Sequence, residues 1–210
     1  MVITLERPKR GRRIPAVISP KNIPESLVYE MIDGKILYRK GYKQVLAGKK
    51  TLEEIMGASS LQSIVAFHIS SIIAKFIDED IYFVLINEAG INLDHKNNLA
   101  NDLAIYDQAV LKPSMISTKY TDVPPKIAIE IDVKAEYEDW TELGYIYKKI
   151  QKLLNFGVEK VIWIITSVGK VTVSTQEKNW ETMDWNKDVE IMDGHSFNVA
   201  DYLIKRGVEY

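Results

Sequence analysis

The spacing of apolar and polar positions changes several times along the chain, and each change marks an element. Leu27–Ile32 and Lys35–Tyr38 are two β-prone runs on either side of Asp33-Gly34. Asp-Gly accepts the positive φ of a tight two-residue turn, so this stretch predicts an N-terminal β-hairpin. Thr51 and Glu54 have capping-box spacing. Leu61, Ile64, Val65, Phe67, Ile69, Ile72, Ile73 and Phe76 then predict a strongly apolar helix near 60–77, packed across a sheet. Ile81–Ile86 reads as a buried strand with Ile91 and Leu93 pairing to it. After the polar turn Asp94–Asn98 comes a strand over Leu99–Tyr106, with Asp102 near its start. Residues 107–125 are a loop rich in Pro, Ser and Thr. Lys126–Lys134 is the clearest strand, Thr141–Phe156 a helix, and Val161–Ile165 a buried strand. Val171–Val173 follows that strand across a Ser-Val-Gly turn. A further β segment near 178–192 and a short helix over Phe197–Arg206 complete the chain. There is no repeat and no linker, so the order predicts an α/β fold with a central mixed sheet flanked by helices. One domain would span 26–210, preceded by a basic, Pro-rich arm over 1–25 that carries Lys9, Arg10, Arg12 and Arg13. That arm reads as a solvated segment or as a contact to phosphates.

Composition narrows the chemistry. The chain has 210 residues, enough for one sizeable core. It has no cysteine, which removes disulfides, Cys-based zinc sites and thiol nucleophiles and fits a cytoplasmic setting. No stretch is apolar for the ~20 residues a membrane helix needs, and the prolines of the first segment break any secretory pattern. The net charge of −2 argues against a surface devoted to nonspecific DNA contacts, while leaving room for a local basic rim around an acidic centre. There is no Gly-x-Ser-x-Gly elbow and no Gly-rich phosphate loop.

Side chains alternate along a strand, so Ile127, Ile129, Ile131 and Val133 should share one face and Ala128, Glu130, Asp132 and Lys134 the other. A strand this apolar is expected to be covered, and a charged row on its second face then needs a reason. One reason is a cleft for a hard cation, held by these carboxylates and by Asp102 from the preceding strand, with the lysine facing transition-state charge. The other is an ordinary solvent-exposed face with a surface ion pair between Glu130 and Lys134, worth almost nothing.

At this point the chain resembles a known family. Asn101-Asp102 before a strand, the run Pro125–Lys134, then Lys149 ahead of Phe156-Gly157-Val158 and Trp163 are similar to the restriction endonuclease family of the PD-(D/E)xK nuclease superfamily. The hairpin Tyr29–Gly34 matches that family's opening, and the likeness runs from about residue 27 to 205. It implies a restriction endonuclease-like fold, Mg²⁺ (or Mn²⁺) in the acidic site, and phosphodiester hydrolysis. The first acid falls on Asp102, preceded here by Asn101 where the superfamily has Pro. One register makes Asp132-Val133-Lys134 the acid-x-Lys unit. The other aligns Glu130 with the strand glutamate and moves the lysine to Lys149 on the following helix. The resemblance therefore assigns Asp102, Glu130 and Asp132 as metal ligands, with Lys134 as catalytic lysine and Lys149 as its rival.

The helix offers a separate reading. Leu143, Ile146, Tyr147, Ile150, Leu153 and Leu154 define a buried stripe, with Lys149 on its flank and Lys148 and Lys152 turned to solvent. Glu54 and Glu88 are further candidate acids, and His68 and Trp163 read as core. Trp180 and Trp185, among polar neighbours, read as part of an interface. The function these features predict is a metal-dependent endonuclease acting on DNA, as a homodimer because duplex cleavage suits a twofold pair. The alternatives are a nuclease for RNA or unpaired strands, and an inactive nuclease fold kept as a binding or assembly module.

Overall fold

A computed structural model describes residues 23–136 and 140–209. The predicted arm therefore lies, over residues 1–22, outside the described residues. Strands β1 (Val28–Ile32) and β2 (Lys35–Arg39) form the expected hairpin. Its turn residues have positive φ, 52° at Asp33 and 74° at Gly34. Two short helices, α1 (Tyr42–Leu46) and α2 (Glu53–Met56), lead into the long α3 (Ser60–Phe76). The Thr51–Glu54 capping box forms, with Thr51 N–H donating to Glu54 Oε2 at 2.7 Å, but it serves only α2. Ser59 caps α3 by accepting the Gln62 N–H at 3.1 Å.

Strands β3 (Tyr82–Asp94), β4 (Asn97–Asp107) and β5 (Ile127–Ile131) follow, then β6 (Ala135–Glu136) and helix α4 (Glu142–Phe156). Thr141 caps α4, and Gly157 at φ 118° ends it. The chain continues through β7 (Lys160–Ile165), β8 (Lys170–Thr175), β9 (Glu181–Asp184), β10 (Val189–Met192), β11 (His195–Phe197) and α5 (Val199–Ile204). Among the described residues nine strands make one mixed sheet in the order β6-β2-β1-β4-β5-β7-β8-β9, with β3 also on β4. Of the strand pairs among the described residues, β5 and β7 run parallel, joined through α4, the rest are antiparallel, and β10 and β11 form a separate pair.

Two apolar layers sandwich the sheet. On one side α3 (Val65, Ile69, Ile73), α5 and the β10–β11 pair cover Ile127, Ile129, Ile131, Ile162 and Ile164. On the other, Ile146, Ile150, Leu153 and Leu154 of α4 meet Ala128, Val161, Trp163 and the hairpin's Ile32 and Leu37. Burial of each such isoleucine or leucine is worth about 1.5–3 kcal/mol, which holds both layers to the sheet. No helix among the described residues is long and apolar enough to cross a membrane.

The strand β4 is the organising element. β3 pairs along nearly its whole length on one edge. On the other edge β1 pairs at Asn98 and β5 at Leu103–Ile105. The sheet therefore forks: a hairpin branch and a β5–β9 branch leave the same edge of β4. Between them, around Ala100, that edge has no strand partner.

Four expectations are corrected. The run read as Ile81–Ile86 starts its strand at Tyr82 and belongs to an edge strand continuous with Ile91 and Leu93, with Ile86 57% exposed. The strand read as Lys126–Lys134 ends at Ile131, because Asp132 adopts φ 62° and breaks the alternation. Val133 consequently packs in the α4 layer with Ala128 rather than with the isoleucines. The buried stripe of α4 is rotated: Tyr145 and Lys149 lie inside it, whereas Leu143 and Tyr147 are exposed. Trp185 is core, 5% exposed, and Trp180 packs edge-on against Tyr147 at 5.6 Å.

Candidate active site

The site lies at the fork. Register pairs Ala104 with Ala128 and Leu103 with Ile129, and one further step sets Asp102 opposite Glu130 on the same face. Directly opposed residues have Cβ atoms about 4.5–5.5 Å apart, so two acids from neighbouring strands stand side by side. Asp102 Oδ2 accepts the Ile131 N–H at 2.8 Å, and its Oδ1 receives the Lys134 ammonium at 2.7 Å. The Ile131 carbonyl at the same strand end accepts from Gln62 Nε2 of α3 at 2.8 Å.

Lys134 also donates to Glu88 Oε1 at 3.0 Å. Glu88 reaches this position through a bulge in β3, where Asn87 (φ 69°) and Glu88 (φ 57°) are both left-handed. Bulges re-aim side chains beside functional sites, and two consecutive non-glycine residues in this region cost roughly 1–3 kcal/mol each. The second Glu88 oxygen lies 3.6 Å from the Arg39 guanidinium, which rests 5.3 Å from the centre of the Tyr29 ring.

Glu130 faces a second, fully buried group. Lys149 Nζ lies 2.6 Å from Glu30 Oε1, 2.6 Å from the Ala100 carbonyl and 2.9 Å from Glu130 Oε1. Ala100 N–H donates to Glu30 Oε1 at 3.0 Å, and Tyr145 O–H to Glu30 Oε2 at 2.7 Å. Glu30 and Lys149 thus satisfy the β4 backbone where the fork leaves it without a strand. The Lys149–Glu130 approach is an ion contact without hydrogen-bond direction, so Glu130 Oε1 is buried with no hydrogen-bond donor.

Burial pushes the Glu130 carboxyl up to about 8 against the pull of Lys149, and neighbouring Asp102 and Glu30 add to the rise. Burial alone would lower the Lys149 ammonium, but Glu130 and Glu30 beside it prevail and hold it above the usual lysine range. The same contest at Lys134, with Asp102 and Glu88 as the acids, also ends above that range. Tyr29 is pushed well above an ordinary phenol by burial, then by Glu30, Glu130, Asp102 and Glu88, so one ring feels both groups.

Asp132 is turned away from this cluster. Its oxygens accept Thr166 N–H at 2.7 Å and Thr166 O–H at 2.8 Å, and its carbonyl accepts the Trp163 Nε1–H at 3.1 Å. The row Glu130–Asp132–Lys134 on one face is therefore replaced by three directions. Glu130 points under the sheet to Lys149, Asp132 to Thr166, and Lys134 back to Asp102. Glu130 and Lys134 do not pair with each other. Glu54 accepts from Thr51, whereas Glu88 joins the site. Lys148 and Lys152 both pair with Asp33 on the hairpin turn. His68 is remote, its ring stacked on Tyr202 at 3.7 Å.

Two cavities open onto Lys134. One, of about 370 Å³, is walled by Arg39, Lys40, Lys50, Glu54, Asp132 and Thr166. The other, of about 380 Å³, exposes Asp102 and Glu88 beside Phe67 and Ile86. Lys149 and Glu130 line neither. Among the described residues no three His, Asp or Glu side chains converge tightly enough to form a ready-made metal cage. A magnesium site needs less, since one or two carboxylates plus water and substrate phosphate suffice. Asp102, which lines the second cavity, fits that requirement once the Lys134 ammonium moves off it, whereas Glu130 Oε1 lies buried 2.9 Å from Lys149 Nζ and would join only by shifting from that contact.

Two members of the site carried no clear sign in the sequence. Glu30 sits inside the apolar hairpin run, where a carboxylate flanked by core residues signals a buried partner. Arg39 ends β2 with no local signal and is brought in by the β2–β6 pairing.

No family model and no curated protein sequence matches the chain. Among solved structures it is similar to the crystal structure of a candidate nuclease belonging to DUF820 from Anabaena variabilis. The TM-score is 0.60 at 15% identity, covering 82% of this chain and 87% of that one. At this identity the likeness is one of fold.

Proposed function

We propose that this protein is a metal-dependent endonuclease that hydrolyses DNA phosphodiester bonds with Mg²⁺ or Mn²⁺, working as a homodimer. The observation that carries the reading is the placement of Asp102 beside Glu130, one step beyond the last β4–β5 pair, with Lys134 lining both cavities. The nuclease-like fold supports it. Asp102 and Glu130 are the residues that would hold the metal. Asp132, held by Thr166, would join them only by giving up that pair of hydrogen bonds. When bound, Mg²⁺ supplies a Lewis acid for the phosphoryl oxygens. Lys134 contributes the cation that faces charge growing on those oxygens. It is favoured over Lys149 because it lines both cavities, while Lys149 is fully buried against three acceptors. Lys149 keeps Glu130 in place from beneath.

A second reading is favoured by one observation: Lys134 already neutralises Asp102 and Glu88, as a retired site would arrange it. In that case the fold serves as a binding or assembly module. Supercoiled plasmid incubated with Mg²⁺ or Mn²⁺ separates the two. Nicking by the native protein, lost in Asp102→Asn and Glu130→Gln and abolished by chelator, is the expected result. Native protein that neither cuts DNA nor binds either ion by calorimetry would establish the module. Sedimentation of the native protein tests the dimer.

A further inference from the structure

We propose that Arg39 and Lys134 form an anion site that takes a backbone phosphodiester of the substrate strand at the position the Glu88 carboxylate now holds. This deepens the nuclease reading and rests on it for the identity of the anion, though not for the existence of the site.

The first observation is an unsatisfied cation. Arg39 Nε is buried and has no hydrogen-bond partner. A guanidinium carries five donors, and those left unmade away from water are costly. Its contacts among the described residues are the 3.6 Å approach to Glu88, too long for a hydrogen bond, and the face of Tyr29. The guanidinium carbon lies 5.3 Å from the centre of the Tyr29 ring, within reach of a cation–π contact that limits its freedom.

The second observation is placement. Strand β2 pairs with β6 so that Arg39 lies opposite Ala135, and Lys40 N–H donates to the Lys134 carbonyl at 2.7 Å. Arg39 at the end of β2 and Lys134 in the link just before β6 are thereby brought next to each other; both line the cavity of about 370 Å³ that Lys40 and Lys50 also enter, and Glu88 lines the neighbouring one. Of the three acids in that wall, Glu54, Asp132 and Glu142, the first accepts from Thr51 and the second from Thr166.

The third observation is the occupant. Glu88 reaches the gap between Arg39 and Lys134 only through two consecutive left-handed residues, Asn87 and Glu88. It is an oxyanion on a strained arm, bonded well to Lys134 and poorly to Arg39. A phosphodiester carries the same single charge on two non-bridging oxygens that are not tethered to β3, so it can settle between both cations where the tethered carboxylate satisfies one. The Glu88 carboxylate acts as an internal stand-in that an incoming phosphodiester displaces.

The test is binding in excess chelator, where cleavage is silent. Anisotropy of a labelled oligonucleotide is measured for the native protein, Arg39→Gln, Arg39→Lys and Glu88→Gln, with a thermal shift in inorganic phosphate alongside. Arg39→Gln should weaken oligonucleotide binding roughly tenfold, as expected for a lost charge-assisted hydrogen bond. Arg39→Lys, which keeps the charge and guards against misfolding, should fall between. Glu88→Gln should tighten binding several-fold, a gain that a merely damaged site cannot give. Unchanged binding in Arg39→Gln, or unchanged or weaker binding in Glu88→Gln, overturns the proposal, as does a failure of native protein and Glu88→Gln to bind either probe. The plasmid assay on the same proteins keeps the two ideas apart. Probe binding with this pattern from native protein that neither cleaves plasmid nor binds Mg²⁺ or Mn²⁺ sinks the nuclease reading alone, whereas cleavage with Arg39-independent binding sinks the anion site alone.

Discussion

Replacing Lys149 with methionine keeps the length and apolar stem of the side chain and removes one buried charge. In the native arrangement that ammonium serves the Ala100 carbonyl, Glu30 and Glu130, all within 2.9 Å. Without it Glu30 retains the Ala100 N–H and Tyr145 O–H, but its charge is uncompensated. The Ala100 carbonyl loses its donor altogether. Breaking a buried ion pair from one side costs about 3–5 kcal/mol, a large share of the ~5–15 kcal/mol that holds a typical domain. The loss is assayed by urea unfolding at neutral pH in chelator, where the midpoint should fall by roughly 2 M for an ordinary urea slope. Lys149→Met/Glu30→Gln, which also removes the stranded charge, should regain part of the loss, a coupling that single-site damage does not show. A midpoint for Lys149→Met within experimental error of native would refute the assignment of Lys149 as the pin of the fork.

Three further outcomes are expected. Burial, with Arg206 nearby, holds His68 down to about 4, below its unfolded value near 6.5, so the neutral ring contributes stability above pH ~6.5 that is lost as pH falls toward 4. His68→Phe, which keeps the stack on Tyr202, should flatten the pH dependence of unfolding over that window by about 1 kcal/mol once solvent screening is allowed for; parallel curves for the two proteins would contradict this. A Cβ at Gly90 would come within 2.3 Å of the Tyr120 ring, so Gly90→Ala should lower stability by about 1–3 kcal/mol, and Tyr120→Ala in the same chain should relieve most of it, as read by thermal denaturation. Asp132 has positive φ and accepts twice from Thr166, so Asp132→Asn should be tolerated while Asp132→Ala loses about 1–2 kcal/mol; equal losses in chelator would show that the Thr166 contacts are not what the residue provides.

Much of the architecture is legible in the order of residues because it depends on short-range signals. The Asp33-Gly34 turn, the apolar run of α3 and the isoleucine run of β5 each specify their own element. The direction of individual side chains in the site is less legible, for a definite reason. Strict alternation carries the reading through Asp132, but one left-handed residue stabilised by Thr166, far away in sequence, sends Val133 to the other layer and Lys134 back toward Asp102. The rotation of the α4 stripe has a similar cause. A lysine is placed at the edge of an apolar face by default, and only the long-range meeting with Glu30, Glu130 and a bare stretch of β4 makes full burial favourable. Glu88 was visible as an acid, but its approach depends on a bulge that no local pattern announces. Arg39 depends wholly on which strands become neighbours.

The fork in the sheet also bears on how readily this architecture can be retuned. In a continuous ladder, neighbouring strands are locked at a fixed spacing by their own backbones, whatever the side chains. Here the distance between the hairpin branch and the β5 branch is bridged by a glutamate, a lysine and a tyrosine. Side-chain length then becomes a gauge for the width of the gap. Shortening Glu30 to aspartate, or exchanging Tyr145 for a smaller donor, alters the separation of Arg39 from Asp102 without touching either. An architecture of this kind can adjust the aperture of its cleft through residues that never meet what enters it.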